Sequence, residues 1–357
     1  MAYTWKILEG NRVAEERLRA GLGIGRIAAR ALVNRGITAE DEARRFLSPS
    51  LSDLPDPFLL PDMAAAVERI AMALSSGEKI AIFGDYDADG VTGAALLASF
   101  LKELGHSPLV GLPDRRGEGY GLTPAAVEDF NSQGARLIVT VDNGTRATEG
   151  IASAKGFGID VVVTDHHEAK GELPSAHAIV NPQRLAGYSP HRELSGCGVA
   201  FMLALALRKK LRGDGKLTAP EPNLKRQLDL VALGTIADVV PLSGANRILV
   251  RHGLGEIAGA RRPGVAALIE VSSTNNGEMN PDSIAFQLAP RLNAAGRLGS
   301  AHEALDLLMC DDPSRSLEIA RSLDRANRER QRVEGVILEE AYAMLSARGS
   351  TGQSSVV

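Results

Sequence analysis

The amino-acid sequence predicts an α/β fold: a parallel sheet flanked by helices, with a helical N-terminal preamble and a long C-terminal connecting helix. Three observations predict it. Short β-rich runs alternate with stretches long enough for a helix. The runs are apolar throughout, which is the pattern of strands buried on both faces. Acidic residues directly follow several of these runs, and the carboxyl ends of parallel strands line one crevice.

In chain order, residues 27–33 read as a helix and residues 41–47 as another behind a capping stretch. Pro55, Pro57 and Pro61 then break the pattern, so residues 1–60 form the preamble. Residues 79–83 are a buried strand, followed by a helix over residues 92–104. Residues 108–112, 137–141, 161–164 and 178–180 supply four more strands. Beyond about residue 195 the pattern is mostly helical. An apolar helix runs over residues 195–211, a Gly/Pro-containing loop over 212–223, and helices over 224–237 and 245–257. The main domain therefore covers residues 61–312, the connecting helix 313–347, and a Gly/Ser linker 348–357. No internal repeat is present.

The composition, 44% hydrophobic and 24% charged, is that of an ordinary globular protein. The formal net charge of −4 lacks the basic excess of a domain that holds duplex DNA by its phosphates. Nucleic-acid contact must then come from local basic patches or bound metal. Cys197 and Cys310 belong to no CxxC, which excludes a disulfide framework or zinc knuckle, and both read as buried free thiols. No signal-peptide core opens the chain and no apolar run approaches a membrane span, so a cytoplasmic, reducing compartment is expected.

Asp85, Asp87 and Asp89 follow the first strand, Asp142 the third, and Asp165-His166-His167 the fourth. Each segment alone is compatible with turn or cap chemistry. Together they aim carboxylates and imidazoles at one place. So many acids in one pocket raise one another's pKa unless divalent cations neutralise them. Carboxylates with a minority of imidazole suit Mn2+ or Mg2+, and Mn2+ tolerates imidazole better. A bridging carboxylate can hold two ions about 3.5–4 Å apart, the spacing used for in-line attack at phosphorus.

These residues also carry a family resemblance. Asp85-Tyr86-Asp87-Ala88-Asp89-Gly90, Asp142-Asn143-Gly144, Asp165-His166-His167 and Gly234-Thr235-Ile236-Ala237-Asp238 resemble the motifs of the DHH phosphoesterase superfamily in its RecJ-like branch. Order and spacing agree over about residues 79–241, and residues 113–122, 195–201 and 291–297 are further RecJ-like stretches. The resemblance implies a metal-dependent 5′→3′ exonuclease that hydrolyses single-stranded DNA to 5′-mononucleotides in DNA repair and recombination. It implies a monomer working with a helicase and single-strand-binding protein.

By the same resemblance Asp89, Asp142, His166 and Asp238 would hold one Mn2+ ion, and Asp87 and Asp142 a second, with Asp142 bridging and Mg2+ as the alternative metal. Asp85 would either ligate the second ion or support it, and His167 would face the scissile phosphate; Asp85, Asp142 and His167 make up the expected catalytic group. Pyrophosphatases of the superfamily carry a His four residues before the middle Asp. Phe83 stands there in this chain, which leaves the second site poorer in ligands. Arg291, Asn293 and Arg297 would take the 5′-terminal phosphate and adjoining backbone, and Arg115 would meet the strand at the cleft entrance.

Two features stay open on the sequence. The Ser195-Gly196-Cys197-Gly198 helix start either offers N–H groups to a phosphate or needs glycine for close packing. Arg321, Arg325, Arg328 and Arg332 share one face of the last helix, read as a salt-bridged solvent face in preference to a basic rail for DNA. Two other functional readings are a DHH phosphodiesterase for short oligonucleotides or cyclic dinucleotides, and a catalytically inactive scaffold for DNA or replication proteins. The preamble and residues 291–297 oppose the first; the full set of carboxylates and both histidines oppose the second. In RecJ-like proteins a Gly-Gly-His domain follows such a helix, and an oligonucleotide-binding domain belongs to the same enzyme. Neither is recognised in this chain, so the expectation is a metal-binding N-terminal part that grips DNA weakly by itself.

Overall fold

A computed structural model describes residues 8–113, 121–169, 171–187, 189–217, 219–272, 279–298 and 300–347. Arg115 and the linker 348–357 lie outside the described residues. The strands β1 (Lys79–Phe83), β2 (Leu109–Gly111), β3 (Ala135–Val141), β4 (Asp160–Thr164) and β5 (Ala178–Val180) form one sheet in the order β2-β1-β3-β4-β5. Every pairing is parallel, as the apolar runs predict. The helices in chain order begin with α1 (Arg12–Leu22), α2 (Arg26–Val33) and α3 (Glu40–Leu47), then α4 (Met63–Ser76), α5 (Ala88–Glu103), α6 (Pro124–Ser132) and α7 (Thr148–Gly156). There follow α8 (Gly196–Gly213), α9 (Leu228–Ala237), α10 (Gly244–Ala258), α11 (Pro263–Ser272), α12 (Pro281–Ser283), α13 (Ala289–Leu298), α14 (Ala301–Met309) and α15 (Pro313–Ala347).

The two-residue period of each strand divides its side chains between two cores. Ile80, Ile82, Leu137, Val139 and Val162 enter a large core shared with α4, α5, α8 and α9. Ala81, Phe83, Ile138, Val161 and Val163 enter a smaller one with Val127 and Phe130 of α6 and Ile151 and Ala154 of α7. The helix after β1 thus covers one face and the helix after β3 the other. Strand order reverses between β1 and β3, and a crevice opens at their carboxyl ends. That is where Asp85–Asp89 and Asp142 emerge.

The preamble packs around its own small core of Leu18, Ala29, Leu32, Ile37 and Ala43. It docks on α10, where Arg247 donates to the Phe46 carbonyl at 2.6 Å and stacks over the Phe46 ring at 3.6 Å. The structure corrects the sequence expectations at several points. α5 starts at Ala88, four residues before the expected position, because the Asp87 side chain accepts the N–H groups of Asp89 and Gly90 and caps it. α1, α4, α6, α7 and the helices of residues 263–309 are absent from the sequence expectations, although the side chains of Asn11, Thr123 and Ser300 cap α1, α6 and α14. Cys310 is only partly buried, unlike Cys197. α15 buries Ile319, Ala320 and Leu323 in the large core, while its described side chains beyond Gln331 are nearly all exposed. Of the four arginines on one face of α15, Arg328 pairs with Asp324 at 2.9 Å and Arg332 with Glu329 at 2.7 Å. Among the described residues no helix is long and apolar enough to cross a membrane.

Candidate metal centre

The strand ends are first fixed to one another. Asn143 donates from Nδ2 to the carbonyls of Phe83 and Val141, tying the end of β1 to that of β3. Thr164 Oγ1 donates to the Thr140 carbonyl, and Asp142 N–H to the Thr164 carbonyl, tying β3 to β4. Asp142 itself takes a left-handed backbone, φ 63°, a region that Asp tolerates better than most residues. Its carboxylate is turned inward and almost completely buried.

Around this frame the acids and imidazoles converge. His166 Nε2 lies 3.0 Å from Asp142 Oδ1, 3.5 Å from Asp238 Oδ2 and 4.0 Å from Asp89 Oδ2. Donor atoms of Asp85, Asp87 and Asp142 form a second cluster, all within 4.8 Å of one another. Asp142 belongs to both. Asp238 arrives from the C-terminus of α9, where Val239 turns the chain with a φ of 60°.

Two helix contacts bring Asp89 and Asp142 this close to the helices behind them. The N–H groups of Gly196 and Cys197, at the start of α8, donate to the Asp89 carboxylate at 2.5 and 3.1 Å. This decides what the α8 start does: its amides serve the protein's own carboxylate. A Cβ on Gly196 would stand 2.5 Å from Asp142 Cβ, and one on Gly234 would stand 2.6 Å from Asp89 Oδ1. Both glycines are there because no side chain fits between helix and carboxylate.

The electrostatics follow from burial and crowding. Burial, then the charges of Asp238 and Asp87, pushes the Asp89 carboxyl far above the usual range. Burial with Asp89 and Asp87 does the same to Asp142. Burial and Asp87 lift Asp85 to about 7 and Asp238 to about 6. Burial, then His167, lowers His166 to about 4, so its imidazole is neutral at pH 7 and has a lone pair to give. Among the described residues no hydrogen bond reaches His166 Nε2 or Asp238 Oδ2, although both atoms are buried. Buried acceptors facing one another without donors between them fit a divalent cation, and an oxygen-rich set with one imidazole fits Mn2+ or Mg2+.

His167 is held differently. Its Nδ1 lies 2.8 Å from Asp165 Oδ1, and its side chain is 45% exposed against 11% for His166, so it borders the open crevice. Asp165 also accepts the N–H groups of His166, His167 and Thr145, while Asn181 donates to the Thr145 hydroxyl and the His167 carbonyl. Burial alone would raise the Asp165 carboxyl, but the bonds and charge of His167 together with Thr145 hold it at about 2. The Asp165 bond in turn raises His167 against the effect of its own burial. The sequence reading gave Asp165 no separate role, though a carboxylate beside a functional histidine is a signal for an orienting partner.

The expected phosphate-binding residues divide. α13 rests on the acidic turn, with Gly296 against the Tyr86 carbonyl and Asn293 Oδ1 accepting the Ala88 N–H at 2.8 Å. Arg291 is mostly buried, paired with Asp324 of α15 at 2.8 Å and donating to the Gln287 carbonyl. Arg291 and Asn293 therefore make contacts within the protein. Arg297 has the exposed side chain of the three.

Comparison with known proteins identifies the class. Residues 79–235 match the DHH family, N-terminal domain, and the chain belongs to that family. Its relatives within the family are RecJ exonucleases. It is 39% identical over 353 residues to the single-stranded-DNA-specific exonuclease RecJ of Bacillus subtilis, covering 99% of this chain and 43% of that protein. It is similar to a crystal structure of exonuclease RecJ bound to manganese, with a TM-score of 0.72 and 36% identity over 81% of this chain and 70% of that one. A crystal structure of RecJ in complex with Mn2+ from Thermus thermophilus gives a TM-score of 0.78 and 34% identity, over 94% of this chain and 47% of that one. The chain thus spans about half the length of the curated relatives it matches.

Proposed function

We propose that this chain carries the metal-dependent phosphodiesterase centre of a single-strand-specific DNA exonuclease, acting 5′→3′ in repair and recombination from the cytoplasm. The observation that carries the reading is the convergence of Asp85, Asp87, Asp89, Asp142, His166 and Asp238 at the reversal point of the sheet. The RecJ relatives support the substrate, and the manganese in a similar structure supports the metal.

Asp89, His166 and Asp238 with Asp142 would hold one Mn2+, and Asp87 and Asp142 with Asp85 a second; Mg2+ suits the same oxygens. Bound divalent ions neutralise the clustered acids, polarise the phosphoryl group and lower the pKa of the attacking water. The protein's own contribution is positional. Asp165 accepts the Nδ1–H of His167 and favours the protonated ring, whose Nε2–H would donate a hydrogen bond or proton to a phosphate oxygen. Arg297, with Arg115, would hold the strand by its phosphates. Helicase and single-strand-binding protein are the partners that this role implies, with the chain acting as a monomer.

The test is hydrolysis of single strands blocked at the 5′ or the 3′ end, with Mn2+ or Mg2+. Loss with a blocked 5′ end and retention with a blocked 3′ end is expected. The opposite polarity, or preference for dinucleotides, would overturn the reading.

A further inference from the structure

Val239 follows Asp238, the C-cap residue of α9, and its backbone is left-handed with a φ of 60°. The position after a helix C-cap is commonly glycine, because a Cβ is strained in that region and a β-branched side chain is strained most. Among the described residues the non-glycine residues of positive φ are Asp62, Asp142, Val239 and Ala260, and Val239 alone of them is β-branched. Asp142 stands in the metal centre, so two of these four positions border it.

Nothing inside the chain offsets this strain. The Val239 side chain is 86% exposed, so its isopropyl group gains little from burial. Ile27 and Phe286 are comparably exposed but lie in helical segments, where single exposed apolar side chains are ordinary. Val239 combines exposure with strain, and it does so beside a candidate ligand. Asp238 Oδ2 lies 3.5 Å from His166 Nε2. Consecutive Cα atoms are about 3.8 Å apart, so Val239 stands at the edge of the centre. A strained residue whose side chain serves no packing is the pattern of a functional position.

We infer that Val239 is a substrate-contacting residue, whose isopropyl group packs on the sugar and base of the nucleotide held by its phosphate at the metal centre. The inference rests on the phosphodiesterase reading of that centre. A phosphate oxygen placed against an isopropyl group would lose water and gain no donor, so the apolar parts of the nucleotide fit it. Every base has an apolar face, so such a contact tolerates any sequence, as stepwise removal of nucleotides requires.

The test is Val239→Gly in the 357-residue protein, with Val239→Ile as the conservative variant. Glycine accepts the left-handed backbone, so Asp238 should stay in place. Mn2+ affinity by calorimetry should be unchanged, and the melting temperature should not fall. Binding of a 5′-phosphorylated oligo-dT with phosphorothioate linkages, read by anisotropy with Mn2+ present, should weaken about fivefold or more, the scale of one lost apolar side-chain contact. KM should rise by a similar factor with kcat nearly unchanged, as for a contact made equally in ground and transition states. The loss should be the same at low and at moderate salt, because no phosphate contact is removed. Val239→Ile should bind the strand as the wild type does. Unchanged strand binding by Val239→Gly, a parallel loss of Mn2+ affinity, or a lower melting temperature would each overturn the inference, the last by showing that the side chain packs within the chain. Wild-type protein that hydrolyses no single strand overturns the functional reading and this inference with it, whereas wild-type hydrolysis with indifference to Val239→Gly overturns this inference alone.

Discussion

Asp165 Oδ1 lies 2.8 Å from His167 Nδ1, and the same carboxylate accepts the backbone N–H of Thr145 from the loop that follows β3. The histidine ring is thus oriented by a residue that touches neither substrate nor metal in the proposed scheme. Asp165→Asn should lower kcat about 10–100-fold while leaving KM nearly unchanged, as loss of an orienting partner does. Mn2+ titration by calorimetry is the control. A parallel collapse of metal affinity would mean that Asp165 supports the ligands and not His167.

The helix contacts at the ligands predict a steric effect. Gly196→Ala places a Cβ 2.5 Å from Asp142 Cβ, and Gly234→Ala places one 2.4 Å from Thr92 Oγ1. Each substitution should cost about 1–3 kcal/mol by forcing a helix back, measured by denaturant melts. Mn2+ affinity should fall at least tenfold in both. Wild-type affinity in Gly196→Ala would show that α8 is not pressed against Asp142.

Stability of the metal-free chain should fall as pH rises above about 6.5. Asp85 at about 7, with Asp89 and Asp142 also raised well above the ordinary carboxylate range, bind protons in the folded state that the unfolded chain has released. Their contribution is full below the unfolded carboxylate range and is lost as pH climbs through the folded values. His166, lowered to about 4, acts in the opposite sense: its contribution is lost as pH falls below 6.5, so above that value it no longer offsets the acids. His167, raised, adds to the loss with the acids. Melting temperature should therefore drop between pH 6.5 and 8.5 without metal, and saturating Mn2+ should raise it more at 8.5 than at 6.5. A metal-free melting temperature that rises across this window would contradict the crowding of the acids.

Arg291 and Arg297 should separate into different roles. Arg291→Ala leaves Asp324 mostly buried with only the exposed Arg328 as partner, and should cost about 3 kcal/mol of stability. Arg297→Ala should leave the melt unchanged and raise KM for 5′-phosphorylated strands roughly tenfold, the scale of a charged hydrogen bond. Equal effects of the two on both measurements would merge the roles again.

The sheet and most of the centre are legible in the sequence. All five strands are visible as apolar runs, and a parallel sheet puts whatever follows them into one crevice, so Asp85, Asp87, Asp89, Asp142 and His166 were legible without coordinates. Asp238 was legible only through the family motif, because nothing local says that the end of α9 returns to the sheet. How these groups are held depends on long-range contacts. Asp89 is gripped by amides 107 and 108 residues away, and Arg291 is drawn to Asp324 on α15. The helices α6 and α14 do carry local start signals, the caps Thr123 with Pro124 and Ser300. Periodicity and capping are written into neighbouring residues, whereas ion pairs and burial depend on distant segments that become neighbours only when the chain is folded.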